Sequence, residues 1–169
     1  MYFIVIWYNK NMKKIRAVAI LIRNDEILLI HRVNKKEYFV FPGGRVEEGE
    51  KIEQAVLREL REETTIEAKI NKLLYKHIYD DNSEQYFYLC DYIKGEPKLS
   101  EDSIEKKKML DGTDFYGSIS PLWVKIEELK NMLVYPLEIR DLLVEDFKSK
   151  FTSPVNTAII KISELRESI

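Results

Sequence analysis

Pro42-Gly43-Gly44 closes the apolar run Tyr38-Phe39-Val40-Phe41, and from Glu50 to Thr64 the chain then contains neither Gly nor Pro. This junction constrains the fold more tightly than any other stretch. An apolar run closed by two glycines reads as a strand entering a tight turn, because glycine allows backbone angles and close approaches that a side chain forbids. The uninterrupted stretch is dominated by strong helix formers, among them Ala55, Leu57 and Leu60, and predicts one helix. At ~100° per residue, Ile52, Ala55, Val56 and Leu60 fall on one stripe, the side that should face a core. Glu59 and Glu63 project into the same stripe with Glu62 beside it, so its first half is apolar and its second half is acidic.

Carboxylates one turn apart on a partly buried face repel one another and lose hydration, so a positive charge is expected among them. Arg58 and Arg61 project towards the flank and the opposite face, and neutralise the cluster only from outside. An all-oxygen cluster suits a hard cation, and Mg²⁺ or Mn²⁺ is the natural choice because each keeps open positions for water and substrate phosphates. The glycine turn is placed to aim a carbonyl such as that of Gly44 at the same ion. Taken alone, the helix has a plainer reading as a solvated, charge-rich surface helix.

The same residues resemble the signature of the MutT-like Nudix family. Its pattern is Gly, five residues, Glu, seven residues, Arg-Glu, a bulky apolar residue, any residue, Glu-Glu, any residue, Gly and a final apolar residue. Gly44, Glu50, Arg58, Glu59, Leu60, Glu62, Glu63 and Ile66 stand at those positions, and Thr65 stands where the family has Gly. Eight matches at fixed spacing are far more specific than a lone glycine motif, and they displace the surface-helix reading. A Gly there would end the helix in the left-handed conformation, which costs a β-branched residue about 1–2 kcal/mol. A shifted or strained helix end is therefore expected, with the acidic face intact.

The resemblance implies an α+β (α/β) domain, an α/β/α sandwich with a mixed curved sheet between helices, over roughly residues 12–148. It implies hydrolysis of a nucleoside diphosphate linked to another group. Glu59, Glu62, Glu63 and Arg58 become the catalytic candidates, and Gly44, Glu59, Glu62 and Glu63 the metal ligands. Glu50 and Gly43 support them, Glu50 through an ion pair with Arg58. Small nucleotides come first as substrates, nucleoside triphosphates and their oxidised forms included, followed by ADP-ribose or nucleotide sugars. A domain of this kind that binds a nucleotide without cutting it is the alternative from another class.

The remaining chain fits one domain. Ile15–Arg23 and Glu26–Ile30 read as a hairpin turning at Asn24-Asp25, and Ala68–Asp80 and Gln85–Tyr92 as two further strands, apolar enough to be covered on both faces. Ser120–Val124 reads as a last strand. A short helix starts at Ile126, a second runs to about Lys148, and residues 149–169 form an extension packed on the same domain, with a further strand and a short polar helix. His31 and Arg32 read as a surface polar pair, with a substrate phosphate as the alternative; His77 reads as structural, and Cys90, in an apolar run, as a core residue. Lys94–Asp114 reads as a solvated loop, from which Glu101, Asp102, Glu105, Asp111 or Asp114 is the candidate for an extra ligand or base.

The single cysteine excludes an internal disulfide and fits a reducing cytoplasm. A net charge of −2 gives no electrostatic case for long nucleic acid as a partner. Met1–Tyr8 is apolar but far short of the ~20 residues that span a bilayer, and reads as an N-terminal extension over residues 1–11 or an extra strand. No membrane partner is expected, and the protein is taken to be a monomer or a homodimer.

Overall fold

The computed structural model describes residues 13–33, 35–101 and 117–160, with side chains given to residue 159. In chain order, β1 (Ile15–Arg23), β2 (Glu26–Val33), β3 (Glu37–Val40) and β4 (Gly43–Arg45) precede α1 (Ile52–Thr64). Then come β5 (Glu67–Tyr79), β6 (Glu84–Lys94), β7 (Ser118–Lys125), a 3-10 turn (Ile126–Asn131), β8 (Val134–Tyr135), α2 (Leu137–Lys148) and β9 (Asn156–Ile160). They form one mixed sheet ordered β8-β3-β2-β1-β6-β5-β9, with β4 added to β1 and β7 to β2. This is an α+β architecture.

β1 is the central strand. It runs parallel to β6 from Ile15 opposite Glu84 to Ile22 opposite Asp91. Strand side chains alternate between faces. Val18 and Ile20 therefore join Phe41, Phe87 and the α2 residues Ile139, Leu143 and Val144 in one core, while Ala17, Ala19 and Leu21 join Ala55, Val56 and Leu60 of α1 in the other. The helices thus cover opposite faces of the sheet. Cys90 is buried in the α1-side core, as its apolar surroundings predict.

The β1–β2 hairpin forms at the expected turn, where Asn24 takes a left-handed φ of 59°. Its strands pair only at Ile22–Ile27 and Arg23–Glu26. Nearer its start β1 takes β4 instead, Ala17 opposite Gly44 and Val18 opposite Gly43, and β2 is flanked by β3 and β7. The sheet parts there, and the glycine turn sits at the split. β6 is covered on both faces, with Phe87 in the α2-side core and Tyr88 and Cys90 in the α1-side core, whereas the first half of β5 turns Ala68 and Ile70 to the α1 side and leaves Glu67, Lys69, Asn71 and Lys72 exposed.

β9 pairs in parallel with β5, Tyr75 opposite Asn156. The apolar Met1–Tyr8 segment and the polar helix expected near the C-terminus lie outside the described residues, as do Asp102, Glu105, Asp111 and Asp114. No helix among the described residues is long and apolar enough to cross a membrane.

Candidate active site

The apolar half of α1 seats the helix. Ala55, Val56 and Leu60 are fully buried, and their stripe carries Glu63 inward to 4 % exposure. Burying a carboxylate needs partners. Glu63 Oε2 accepts the Gly43 N–H at 2.7 Å, and Oε1 lies 3.6 Å from Arg32 Nη2. Arg32 is the correction to the surface-pair reading of His31 and Arg32: β2 alternation puts it on the α1 side with Leu28, whereas His31 stacks on Phe39 and pairs with the exposed Glu37. That alternation was the available signal, and the strand end made Arg32 look solvent-facing.

Glu59 lies one turn back. A Cβ placed on Gly44 would meet its carboxylate at 2.2–2.4 Å, so the bare Gly44 main chain rests against Glu59. Glu63 on Gly43 and Glu59 on Gly44 thus bracket two consecutive residues of the turn. A larger residue at either position would push the carboxylate or the strand away.

Arg58 organises the outer side. Its Nε and Nη2 form a fork on Glu50 at 2.9 Å each, Nη2 also donates to the Arg45 carbonyl at 3.0 Å, and Nη1 donates to Glu59 at 2.8 Å. Glu62, half exposed, sits 3.4 Å from Nη1. The Arg58 fork holds the Glu50 carboxyl below the usual carboxylate range, against burial, which raises it. Arg58 itself is pushed further up, by Glu50 first and then Glu59. The expected Glu50–Arg58 ion pair is present and ties the loop after β4 to the helix.

The helix ends where the sequence pattern required a left-handed residue. Thr65 takes φ 58°, ψ 12°, and its N–H donates to the Arg61 carbonyl at 2.9 Å. The end is strained rather than shifted. Its neighbours compensate: Thr65 Oγ1 donates to the Glu96 carbonyl at 3.1 Å, and the N–H groups of Lys98 and Ser100 cap the carbonyls of Thr64 and Glu62. The start of the expected loop therefore docks on the helix end.

Behind the turn, on the α2 side of the sheet, lies a hollow of about 230 Å³ lined by Arg16, Val18, Phe41, Gln85, Phe87 and Tyr135. A groove of about 590 Å³ follows the outer flank of α1 past Leu57, Arg61 and Ile93. Among the described residues, no three His, Cys, Asp or Glu side chains are already gathered as a ligand cage. The donor set nevertheless suits a hard cation, since Glu63 and Glu59 bring carboxylate oxygens against the main chain of Gly43 and Gly44 in turn.

Residues 13–141 match the NUDIX domain family. The chain is 35 % identical over 132 residues to the 8-oxo-dGTP diphosphatase of Escherichia coli, covering 70 % of this chain and all of that one. It is 37 % identical over 111 residues to the ADP-ribose pyrophosphatase of Methanocaldococcus jannaschii, covering 57 % of this chain and 66 % of that one. Putative nudix hydrolase 1 of Caenorhabditis elegans is 32 % identical over 120 residues, covering 68 % of this chain, which spans only 29 % of that longer protein. A NUDIX hydrolase from Nitrosomonas europaea superimposes with a TM-score of 0.66 over 88 % of this chain and 79 % of its own, at 15 % identity, a likeness of fold. With the domain matched over most of its length and the acidic helix seated on its glycine turn, the chain belongs to the Nudix family.

Proposed function

We propose that this protein is a metal-dependent pyrophosphohydrolase acting on a small nucleotide, with a nucleoside triphosphate, oxidised forms included, as the first substrate class. The observation that carries the reading is the buried Glu63, held by the Gly43 N–H while the neighbouring Gly44 rests on Glu59. A stabilising role does not explain it, because apolar side chains would fill the same stripe without the cost of burying charge.

Glu59, Glu63 and the Gly44 main chain would hold Mg²⁺ or Mn²⁺, with Glu62 a ligand or a partner through water. When bound, that ion supplies charge to offset the pyrophosphate, an activated water and a stabilised leaving oxygen. The protein's own part is preorganisation. Arg58 fixes the direction of Glu59 and anchors Glu50. Arg32, 3.6 Å from Glu63, would offer its guanidinium to a phosphate oxygen of the substrate. The hollow behind the turn has apolar walls and the polar ends of Arg16 and Gln85, which suits a nucleoside. A single buried thiol fits work in a reducing cytoplasm.

ADP-ribose is the second substrate reading, favoured by the similarity to the Methanocaldococcus protein. A Mg²⁺-dependent panel of nucleoside triphosphates, oxidised dGTP, ADP-ribose, nucleotide sugars and dinucleoside polyphosphates separates these readings by the product released. Turnover of a triphosphate class ahead of ADP-ribose is expected. Tight nucleotide binding with no turnover anywhere on the panel would replace the hydrolase with a nucleotide sensor.

A further inference from the structure

We propose that Arg16 is a positioning residue that ties the hollow behind the glycine turn to the acidic end of α1, an inference that rests on the hydrolase reading above. Arg16 lines the hollow, and its Nη2 donates to the Gly43 carbonyl at 3.0 Å. The N–H of the same residue donates to Glu63 at 2.7 Å. Gly43 therefore receives a guanidinium from the hollow on its carbonyl and gives its N–H to the buried carboxylate.

The two contacts come from opposite sides of the sheet. Arg16 alternates with Val18 and Ile20, which face the α2 core, whereas Ala17 and Ala19 face α1. Gly43 has little room to move independently of β1. A Cβ there would come within 2.4 Å of the Ala17 carbonyl and 2.8 Å of Val18 Cα, and the preceding Pro42 carbonyl accepts the Ala19 N–H at 2.8 Å. The next residue, Gly44, rests on Glu59. A guanidinium that holds the Gly43 carbonyl thereby orients the short segment on which both carboxylates depend.

The consequence concerns specificity. A nucleoside seated in the hollow meets Arg16 and is felt at Glu63 through one residue, so occupancy of the hollow favours the arrangement that turns substrate over. Binding energy taken far from the reacting phosphate then appears in kcat and not only in KM.

The test is steady-state hydrolysis of the best nucleotide on the panel, together with Mn²⁺ binding followed by electron paramagnetic resonance, for the wild type and for Arg16→Ala, Arg16→Met and Arg16→Lys. Melting temperatures control for folding. The Ala and Met variants are expected to lose about tenfold or more in kcat, as for an oriented charge-assisted hydrogen bond, with KM changed by no more than about threefold. Both should bind Mn²⁺ more weakly, and Lys, which keeps a donor, should recover part of each loss. If Arg16→Ala does not fold, Arg16→Met keeps the stem, removes only the donors and decides the matter. Raised KM at unchanged kcat, or unchanged Mn²⁺ binding, overturns the positioning role. A wild type that hydrolyses nothing on the panel overturns the hydrolase reading instead, so the two failures are distinct.

Discussion

Replacing Arg58 by Lys keeps the charge and removes the fork. Arg58 makes four good hydrogen bonds, two to Glu50 at 2.9 Å, one to Glu59 at 2.8 Å and one to the Arg45 carbonyl at 3.0 Å. A lysine ammonium is a point charge on a flexible stem and cannot reproduce the planar fork on Glu50 while also holding Glu59. Hydrogen bonds to charged groups contribute about 1.5–3 kcal/mol each. The three side chains are roughly one-fifth exposed, so the lower end applies. Losing two of the four bonds at that end should destabilise the domain by about 2–3 kcal/mol. At about 2–4 °C per kcal/mol for a chain of this size, the melting temperature should fall by about 4–12 °C. Turnover should fall further than stability explains, because Glu59 loses the group that aims it. A double-mutant cycle with Glu50→Gln should return a coupling of about 1 kcal/mol or more. A Lys variant melting within about 2 °C of the wild type, with no coupling to Glu50, refutes the claim that the fork organises this end of the helix.

Gly44→Ala should separate folding from chemistry. The three atoms nearest its Cβ all belong to the movable carboxylate of Glu59, so the variant should melt within about 3 °C of the wild type while hydrolysis falls by about tenfold or more; the reverse pattern contradicts the placement of Glu59 on the turn. Thr65→Gly relieves a left-handed threonine, a gain of about 1–2 kcal/mol offset by glycine's chain entropy and by the lost bond to Glu96. Its melting temperature should rise by a few degrees or stay put, and a large loss of activity sinks the view that this residue only ends the helix. The pH dependence of Glu50→Gln follows from the lowered Glu50 pKa. A depressed carboxyl stabilises the fold above its unfolded value, and that contribution disappears as pH falls through the folded value. The wild type's margin in melting temperature over the variant should therefore be complete near neutrality and shrink in the acid range, and a margin that grows on acidification contradicts the pairing.

What the sequence made legible was local. The stripe of Ile52, Ala55, Val56 and Leu60, the acidic end that follows it and the glycine turn all depend on residues within a few turns of one another, and each appears where expected. The left-handed cap at Thr65 was likewise readable, because it is a property of one position in a spaced pattern. Sheet order was not, since Ile15 opposite Glu84 and Glu26 opposite Lys125 are long-range pairings that no short window encodes. Arg32 reads from the sequence first as a surface residue, with a substrate phosphate as the alternative, and Arg16 draws no reading of its own. Alternation along β2 gives the face of Arg32, but its meeting with Glu63, like that of Arg16 with the Gly43 carbonyl, depends on how distant segments pair. The hollow behind the turn needs β1, β3, β6 and β8 together before it exists.

Everything proposed for this site depends on Glu63 being buried in order to act. The decisive measurement is Mg²⁺-dependent turnover of the best panel substrate by Glu63→Gln, with its melting temperature recorded alongside. Glutamine retains an oxygen for the Gly43 N–H and removes the charge, so the variant should melt close to the wild type while its turnover is abolished. A Glu63→Gln protein that is folded and turns substrate over at the wild-type rate contradicts the catalytic role of this carboxylate.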